Sequence, residues 1–243
     1  HAVRAHAQPA RAARLYRAAV RAGSAALSAQ LADALTLAGD CRTAGPMADE
    51  LLSSDDAAER AAAVRIAASI AVHDGSAAQA ADLFRWLGPS PDAAVSSAAT
   101  IVALAAGDVA TARAALSAEL AGPPTSTARA ARNLADGLLL SLDQPFAVTV
   151  ARLGQAVTSE SQPTGVAPDT PAALVTLAAL HGGDPVRARS VIGRAVRAGG
   201  RAGADGGPPE FSAHRHRLML GWVRMQDGQL AAAGADAAAA DTG

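Results

Sequence analysis

The sequence contains no lysine, a single cysteine, and only 2% aromatic residues among its 243 positions. One thiol, Cys41, cannot form an internal disulfide, and it excludes metal sites that need several cysteines. The absence of lysine excludes a phosphate-binding loop of the GxxxxGK[ST] type. No apolar run approaches the roughly 18 to 20 residues of a membrane span. The single cysteine favours a reducing cytoplasmic location, with a disulfide-free secreted protein as the alternative, and we expect no membrane contact.

Charge and catalytic motifs are equally sparse. The net charge is −1 and the 21 basic residues, all arginine, form no block, so we expect no direct contact with nucleic acid. No Ser/His/Asp spacing or paired-carboxylate motif occurs, which predicts that the chain is not an enzyme and needs no cofactor. His214 and His216 lie roughly 200° apart on a helix and cannot chelate one ion, so no metal site is expected.

What the sequence does contain is alanine and a recurring turn. Half of the residues are apolar, and alanine is the strongest helix former. In each copy of the turn, a Gly ends one helix and a neighbouring Asp can cap the next. A small residue follows the Gly by five positions, as in Gly39/Ala44, Gly75/Ala80, Gly107/Ala112, Gly183/Ala188 and Gly228/Ala233. A sixth copy keeps Asp143 and Ala147 without the Gly. The spacing, roughly 32 to 45 residues, is typical of paired-helix repeats.

These turns, together with a large residue nine positions after the Gly (Phe84, Leu116, Ile192), resemble the tetratricopeptide repeat. The resemblance implies an all-α fold: one TPR-like domain over residues 1–243, built as a superhelix of about six antiparallel helix pairs (an α-solenoid). The aromatic residue expected early in each first helix is replaced, at Ser28, Val64, Ser96, Ala131, Ala172 and Arg217. Residues 199–209 are rich in glycine and are predicted to form a flexible loop.

A narrower resemblance concerns the style of the array. Degenerate, Ala- and Arg-rich helical arrays of this kind are similar to the sensor region of large actinobacterial LuxR-type regulators, the MalT-like ATPases. In that family an ATPase precedes the array, a DNA-binding helix-turn-helix follows it, and sugars can be inducers. Neither neighbour is present in this sequence. We therefore expect a fragment of a longer transcriptional regulator, with the regulator's other domains as partners.

Resemblance to tetratricopeptide arrays also places certain positions of each first helix, counted back from the turn Gly, on a concave groove. Polar groups gather on these positions, and the candidate ligand-binding residues are Asp33, Arg65, Ser69, Arg132, Asn133, Asp136 and Trp222. Arg and Asp side chains can bind hydroxyl-rich or anionic molecules, and an indole offers a flat face to a sugar ring. We expect Arg132 and Asp136 to be the anchors. A solvated groove wall is the alternative interpretation.

Two functions follow from this groove. The first is ligand sensing, in which the groove binds a small polar effector such as a di- or oligosaccharide. The second is a protein–protein interaction scaffold, in which the groove binds a peptide. Peptide clamps of tetratricopeptide domains use Lys and Asn, and only Arg65, Arg132 and Asn133 can stand in for them here. The absence of Lys therefore mildly favours the small effector.

Overall fold

The computed structural model describes residues 8–118, 125–159, 165–202 and 210–241. Within these ranges the chain is all-helical and contains no strand, which confirms the all-α prediction. The first helices are α1 (Pro9–Arg21), α2 (Ser28–Leu37), α3 (Cys41–Leu51), α4 (Ala57–His73), α5 (Ala77–Leu87), α6 (Ala93–Ala105) and α7 (Val109–Ser117). They are followed by α8 (Ser126–Asp143), α9 (Phe146–Ser159), α10 (Pro171–His181), α11 (Pro185–Ala202), α12 (Ala213–Gln226) and α13 (Leu230–Asp241).

The helices pack in the order in which they occur in the chain. Each even-numbered helix from α2 to α12 contacts the odd-numbered helix that follows it. The even-numbered helices also contact one another in sequence, α2 with α4, α4 with α6, and so on to α12. The side chains of α2 and α4 are therefore brought next to each other although 32 residues of sequence separate Asp33 from Arg65.

The positive-φ glycine of the predicted turn is present at all five glycine-containing turns of the repeat, and the aspartate cap at three of them. Their glycines have φ between 75° and 85°, a region that residues with a Cβ enter only with strain: Gly39, Gly75, Gly107, Gly183 and Gly228. Asp40, Asp108 and Asp184 each accept a main-chain N–H from three residues further on, as helix N-caps do. Four of the alanines at the fifth position are completely buried, namely Ala44, Ala80, Ala112 and Ala188.

The sixth copy of the repeat lies two residues away from its predicted position. Ala147 is exposed, whereas Thr149 and Leu153 are 0% exposed. These two residues follow Gln144 by five and nine positions, so Gln144 takes the place of the turn glycine, with φ −121°. The predicted alignment at Ala147 is therefore wrong. The chain turns here through extended Gln144 and the following Pro145, a turn that needs no positive φ.

A small residue seven positions before each turn lets the paired helices approach closely. These residues are all buried: Ala32, Ala68, Thr100, Gly137, Thr176 and Gly221. At Gly137 the approach leaves little room for a side chain, because a Cβ there would lie 2.8 Å from Cδ2 of Leu153 on α9. Close approach of this kind lets a chain with few large side chains fill its core clusters.

The prediction of a flexible loop over 199–209 is wrong for its first four residues. Helix α11 continues to Ala202, so residues 199–202 are helical, and residues 203–209 lie outside the described residues. Glycine lowers helix stability by about 1 kcal/mol relative to alanine but does not forbid a helix. No proline occurs between Val186 and Gly207 to stop this one.

Candidate functional site

An ion pair between α2 and α4 forms the centre of the candidate site. Nη2 of Arg65 lies 2.9 Å from Oδ1 of Asp33, and the two side chains are only 13% and 14% exposed. Both residues were predicted to line a groove, and the packing of α2 on α4 brings them together. A charge pair this far from water needs further hydrogen-bond partners, because each ion has lost most of its hydration.

Those partners come from the main chain of a distant residue. The N–H of Val166 donates to Oδ1 of Asp33 at 3.0 Å, and Nη1 of Arg65 donates to the carbonyl oxygen of Val166. The Val166 side chain is 2% exposed and packs in a cluster with Ala32, Ala48 and Ile66. The ion pair therefore binds both the main-chain N–H and the main-chain carbonyl of Val166, and the Val166 side chain is buried beside it.

Gly165 fits against the same ion pair. A Cβ at this position would lie 2.8 Å from Nη1 of Arg65 and 3.1 Å from Oδ2 of Asp33. A side chain at this position would require the flexible ends of Arg65 and Asp33 to shift. Glycine before Val166 therefore allows the backbone to approach the ion pair without any shift.

Ser69, the third predicted residue of this region, lies one turn after Arg65 on α4. It is completely buried, and its hydroxyl donates to the carbonyl oxygen of Arg65 at 2.7 Å. The hydroxyl proton is therefore used within the helix.

The chain that follows Val166 is attached at a second point, on α12. The guanidinium of Arg215 donates to Oδ2 of Asp169 at 2.8 Å and 3.1 Å, and Oγ1 of Thr170 lies 2.6 Å from Nε2 of His216. Residues 165–170, which we call the bridging segment, therefore connect the α2/α4 pair to α12. The contact lies at the N-terminal ends of α10 and α12.

Phe211, just before α12, contacts residues of both α2 and α4. Its N–H donates to the carbonyl oxygen of Leu37 at 3.2 Å, and its ring stacks on His73 with centroids 4.3 Å apart. Burial lowers the pKa of His73, and burial likewise lowers the pKa of His216. Asp169 opposes both shifts, since a carboxylate favours the imidazolium form.

The remaining predicted residues lie elsewhere. Asn133 and Asp136 face α9, where Nη1 of Arg152 donates to Oδ1 of Asn133 at 3.1 Å and Nε of Arg152 lies 3.4 Å from Oδ2 of Asp136. Arg132 is exposed and makes no hydrogen bond or ion pair with any described residue. Trp222 packs against a core cluster of α10, α11 and α12. None of these four side chains contacts the Asp33–Arg65 pair.

The displaced register explains why the α8 residues face α9. Groove positions were counted from a turn at Leu142, but the turn is at Gln144. An error of two residues on a helix rotates a side chain by about 200°. Counted from Gln144, the same offsets fall on Ala131, Leu134, Ala135 and Leu138, so the polar stripe turns away from that face.

A shallow open depression lies beside Asp136, between α7 and α8. It encloses about 290 Å³, and its lining includes Asp136 together with the ion pair of Arg113 and Asp143. The volume is close to the lower limit for small-molecule sites, about 300 Å³. The depression is therefore a second place where polar groups converge on open space.

Sequence reasoning missed the residues of the bridging segment and Phe211. One local signal was present: Val166 is an isolated aliphatic residue between a glycine and Ala167-Pro168 in an otherwise polar loop. A lone apolar residue in such a loop suggests burial against another element. The sequence did not reveal which element.

No described helix is both long and apolar enough to cross a membrane, and no cluster of three metal-ligating side chains occurs in the described ranges. The chain matches no family model, no curated protein and no solved structure. Function is therefore inferred from the geometry.

Proposed function

We propose that the chain is a tetratricopeptide-like α-solenoid domain whose α2/α4 surface binds a peptide. Two features support the solenoid arrangement: the helices contact in chain order, and the glycine turn with its buried alanine recurs along the chain. In an array of this kind one row of helices offers a continuous surface to partners. The even-numbered helices are that row.

The observation that carries the peptide function is the way Val166 is held. Asp33 accepts the N–H of this residue, and Arg65 donates to its carbonyl oxygen. Main-chain groups are common to all peptides and supply affinity, whereas a pocket for one side chain supplies selectivity. Both elements are present in one place, since the Val166 side chain is buried beside the ion pair.

The same geometry fits a sugar less well. A sugar ring needs several exposed polar groups and a flat aromatic face. The Ser69 hydroxyl donates within its own helix, Trp222 packs in another part of the core, and the pocket beside the pair is lined by Ala32, Ala48 and Ile66. An aliphatic side chain is the better match for such a pocket.

Calorimetry with a synthetic peptide tests the proposal. The probe is the capped hexapeptide Gly-Val-Ala-Pro-Asp-Thr, titrated into the Val166→Asp variant, in which the chain's own segment no longer fits the site. We expect binding, and we expect Asp33→Ala in that background to abolish it. Asp143→Ala, which breaks an exposed ion pair, is the matched control. If the peptide does not bind to the folded variant, the α2/α4 surface is not a peptide site.

A second candidate function is the binding of a small polar effector by a sensor domain of a longer cytoplasmic LuxR-type regulator. The depression beside Asp136 favours it, because Arg113 and Asp143 converge there and Arg132 is exposed one turn away on α8. Titration with maltotriose tests it by thermal shift, since a ligand that binds only the folded state raises Tm. A shift that Asp136→Ala removes would support the effector; equal shifts in both proteins would place the sugar elsewhere.

A further inference from the structure

We infer that the bridging segment is an internal occupant of the α2/α4 peptide site, and that the external partner carries a glycine followed by an aliphatic residue. The inference rests on the proposed function and adds to it the regulation and the selectivity of the site. A partner peptide would have to displace residues 165–170 before it could bind. The site would then be closed in the isolated chain and open only to a sufficiently strong competitor.

The contacts at the site are of a kind that an unconnected peptide could make. Val166 is separated by 133 residues from Asp33 and by 101 residues from Arg65, so chain connectivity does not impose the contact. Two main-chain hydrogen bonds and one buried aliphatic side chain form it. Each of these is available to any peptide of the same local sequence.

Selectivity follows from the two residues that enter the site. A side chain in place of Gly165 would meet the guanidinium of Arg65 and the carboxylate of Asp33 and would displace them, which favours glycine at the first position. The second position is 2% exposed among Ala32, Ala48 and Ile66. A charged or strongly polar side chain there would lose its hydration without a partner.

The anchor on α12 gives a way to loosen the segment without altering the peptide site. Asp169 and Thr170 bind Arg215 and His216, which do not contact Asp33 or Arg65. While both anchors hold, Val166 stays near the site at a high effective concentration. The apparent affinity for an external peptide is the intrinsic affinity multiplied by the fraction of molecules in which the site is free.

Fluorescence polarisation with the labelled, capped tetrapeptide Gly-Val-Ala-Pro, which lacks the two residues that bind Arg215 and His216, tests the inference on the full chain. Val166→Asp empties the site, and we expect it to bind the probe at least about tenfold more tightly than the original chain, which corresponds to a site occupied about nine-tenths of the time. Arg215→Ala loosens only the second anchor, and we expect a smaller gain of a few fold. Arg187→Ala breaks an exposed ion pair on α11 and should leave the affinity unchanged. A probe with Asp in place of Val should bind none of the proteins.

The outcomes separate the two proposals. Equal probe affinity in the original chain, Val166→Asp and Arg215→Ala would overturn internal occupancy and leave peptide binding standing. Absence of binding to a folded Val166→Asp protein would overturn the peptide function itself. If circular dichroism shows that Val166→Asp fails to fold, the probe affinity of Arg215→Ala tests internal occupancy instead, because this substitution lies outside the peptide site. An affinity of that variant no higher than that of Arg187→Ala would then contradict the inference.

Discussion

The hydroxyl of Thr170 lies between the imidazole of His216 and the N-terminus of α10. It accepts the main-chain N–H of Ala173 at 3.2 Å, and it is 2.6 Å from Nε2 of His216. A neutral imidazole can accept the hydroxyl proton at Nε2, which leaves the hydroxyl lone pairs for Ala173. The arrangement therefore suits neutral His216, and it links α12 to the cap of α10.

Acidification should destabilise the protein through this histidine. Burial lowers the pKa of His216, Asp169 opposes the shift and Arg215 adds to it. Below the unfolded value of about 6.5 the unfolded chain binds a proton that the folded chain does not. The free energy of unfolding should therefore decrease as the pH falls from about 6.5 toward the folded pKa. Urea denaturation at a series of pH values measures this.

The variant His216→Gln should reduce that pH dependence, and the exposed His181→Gln should not. His73, whose pKa is lowered by burial, contributes in the same direction and accounts for the dependence that remains. An equal decrease of the free energy of unfolding on acidification in all three proteins would contradict the assignment to His216.

Removal of Asp33 should cost much more stability than removal of an exposed partner. Asp33→Ala leaves the guanidinium of Arg65 without its carboxylate at 13% exposure, and the loss should be about 1.5 to 3 kcal/mol. Asp143→Ala breaks a pair whose side chains are more than half exposed, and it should change stability by less than about 1 kcal/mol. Equal losses on urea denaturation would mean that the buried pair is not a stabilising contact.

Substitution by alanine of two glycines on neighbouring helices should change the stability of the protein in opposite directions. Gly137→Ala places a Cβ 2.8 Å from Cδ2 of the fully buried Leu153, and overpacking of this kind costs about 1 to 3 kcal/mol. In helix α9 a Cβ added at Gly154 meets no atom of a described residue within 4 Å, and Gly154→Ala should stabilise by about 0.5 to 1 kcal/mol. Thermal unfolding of both variants measures the difference, and Tm changes of the same sign would be the contrary result.

The single thiol should react slowly. Burial, followed by the charges of Asp74 and Asp40, raises the pKa of Cys41, so less thiolate is present at pH 8 than in a free cysteine. Modification by a disulfide reagent should be slower in the folded chain than in urea. Added salt should recover part of the rate by screening the two carboxylates; no response to salt would leave burial as the whole cause.

The local part of the fold could be predicted from the sequence because its causes are local. A glycine at positive φ, an aspartate cap and a small residue at a fixed offset act within one turn, as at Gly107, Asp108 and Ala112. The prediction went wrong where the glycine is replaced, since Gln144 carries no such signal. That two-residue error also placed Asp136 on the wrong face of α8.

The candidate site could be predicted only in part. Asp33 and Arg65 were identified because their offsets from a clear turn place them on adjacent helices. Their partner could not be identified, because the contact with Val166 spans more than a hundred residues and depends on how all the intervening helices are stacked. No local pattern encodes that relation.

The bridging segment also changes how the chain folds. In an array whose units touch only their neighbours, stability accumulates unit by unit and the ends can unfold on their own. Here the early helices α2 and α4 share hydrogen bonds with a segment 101 and 133 residues later, which raises the cooperativity between the two halves. During synthesis Asp33 and Arg65 leave the ribosome before Val166 has been made, so the ion pair gains its main-chain partner only when translation has reached the second half.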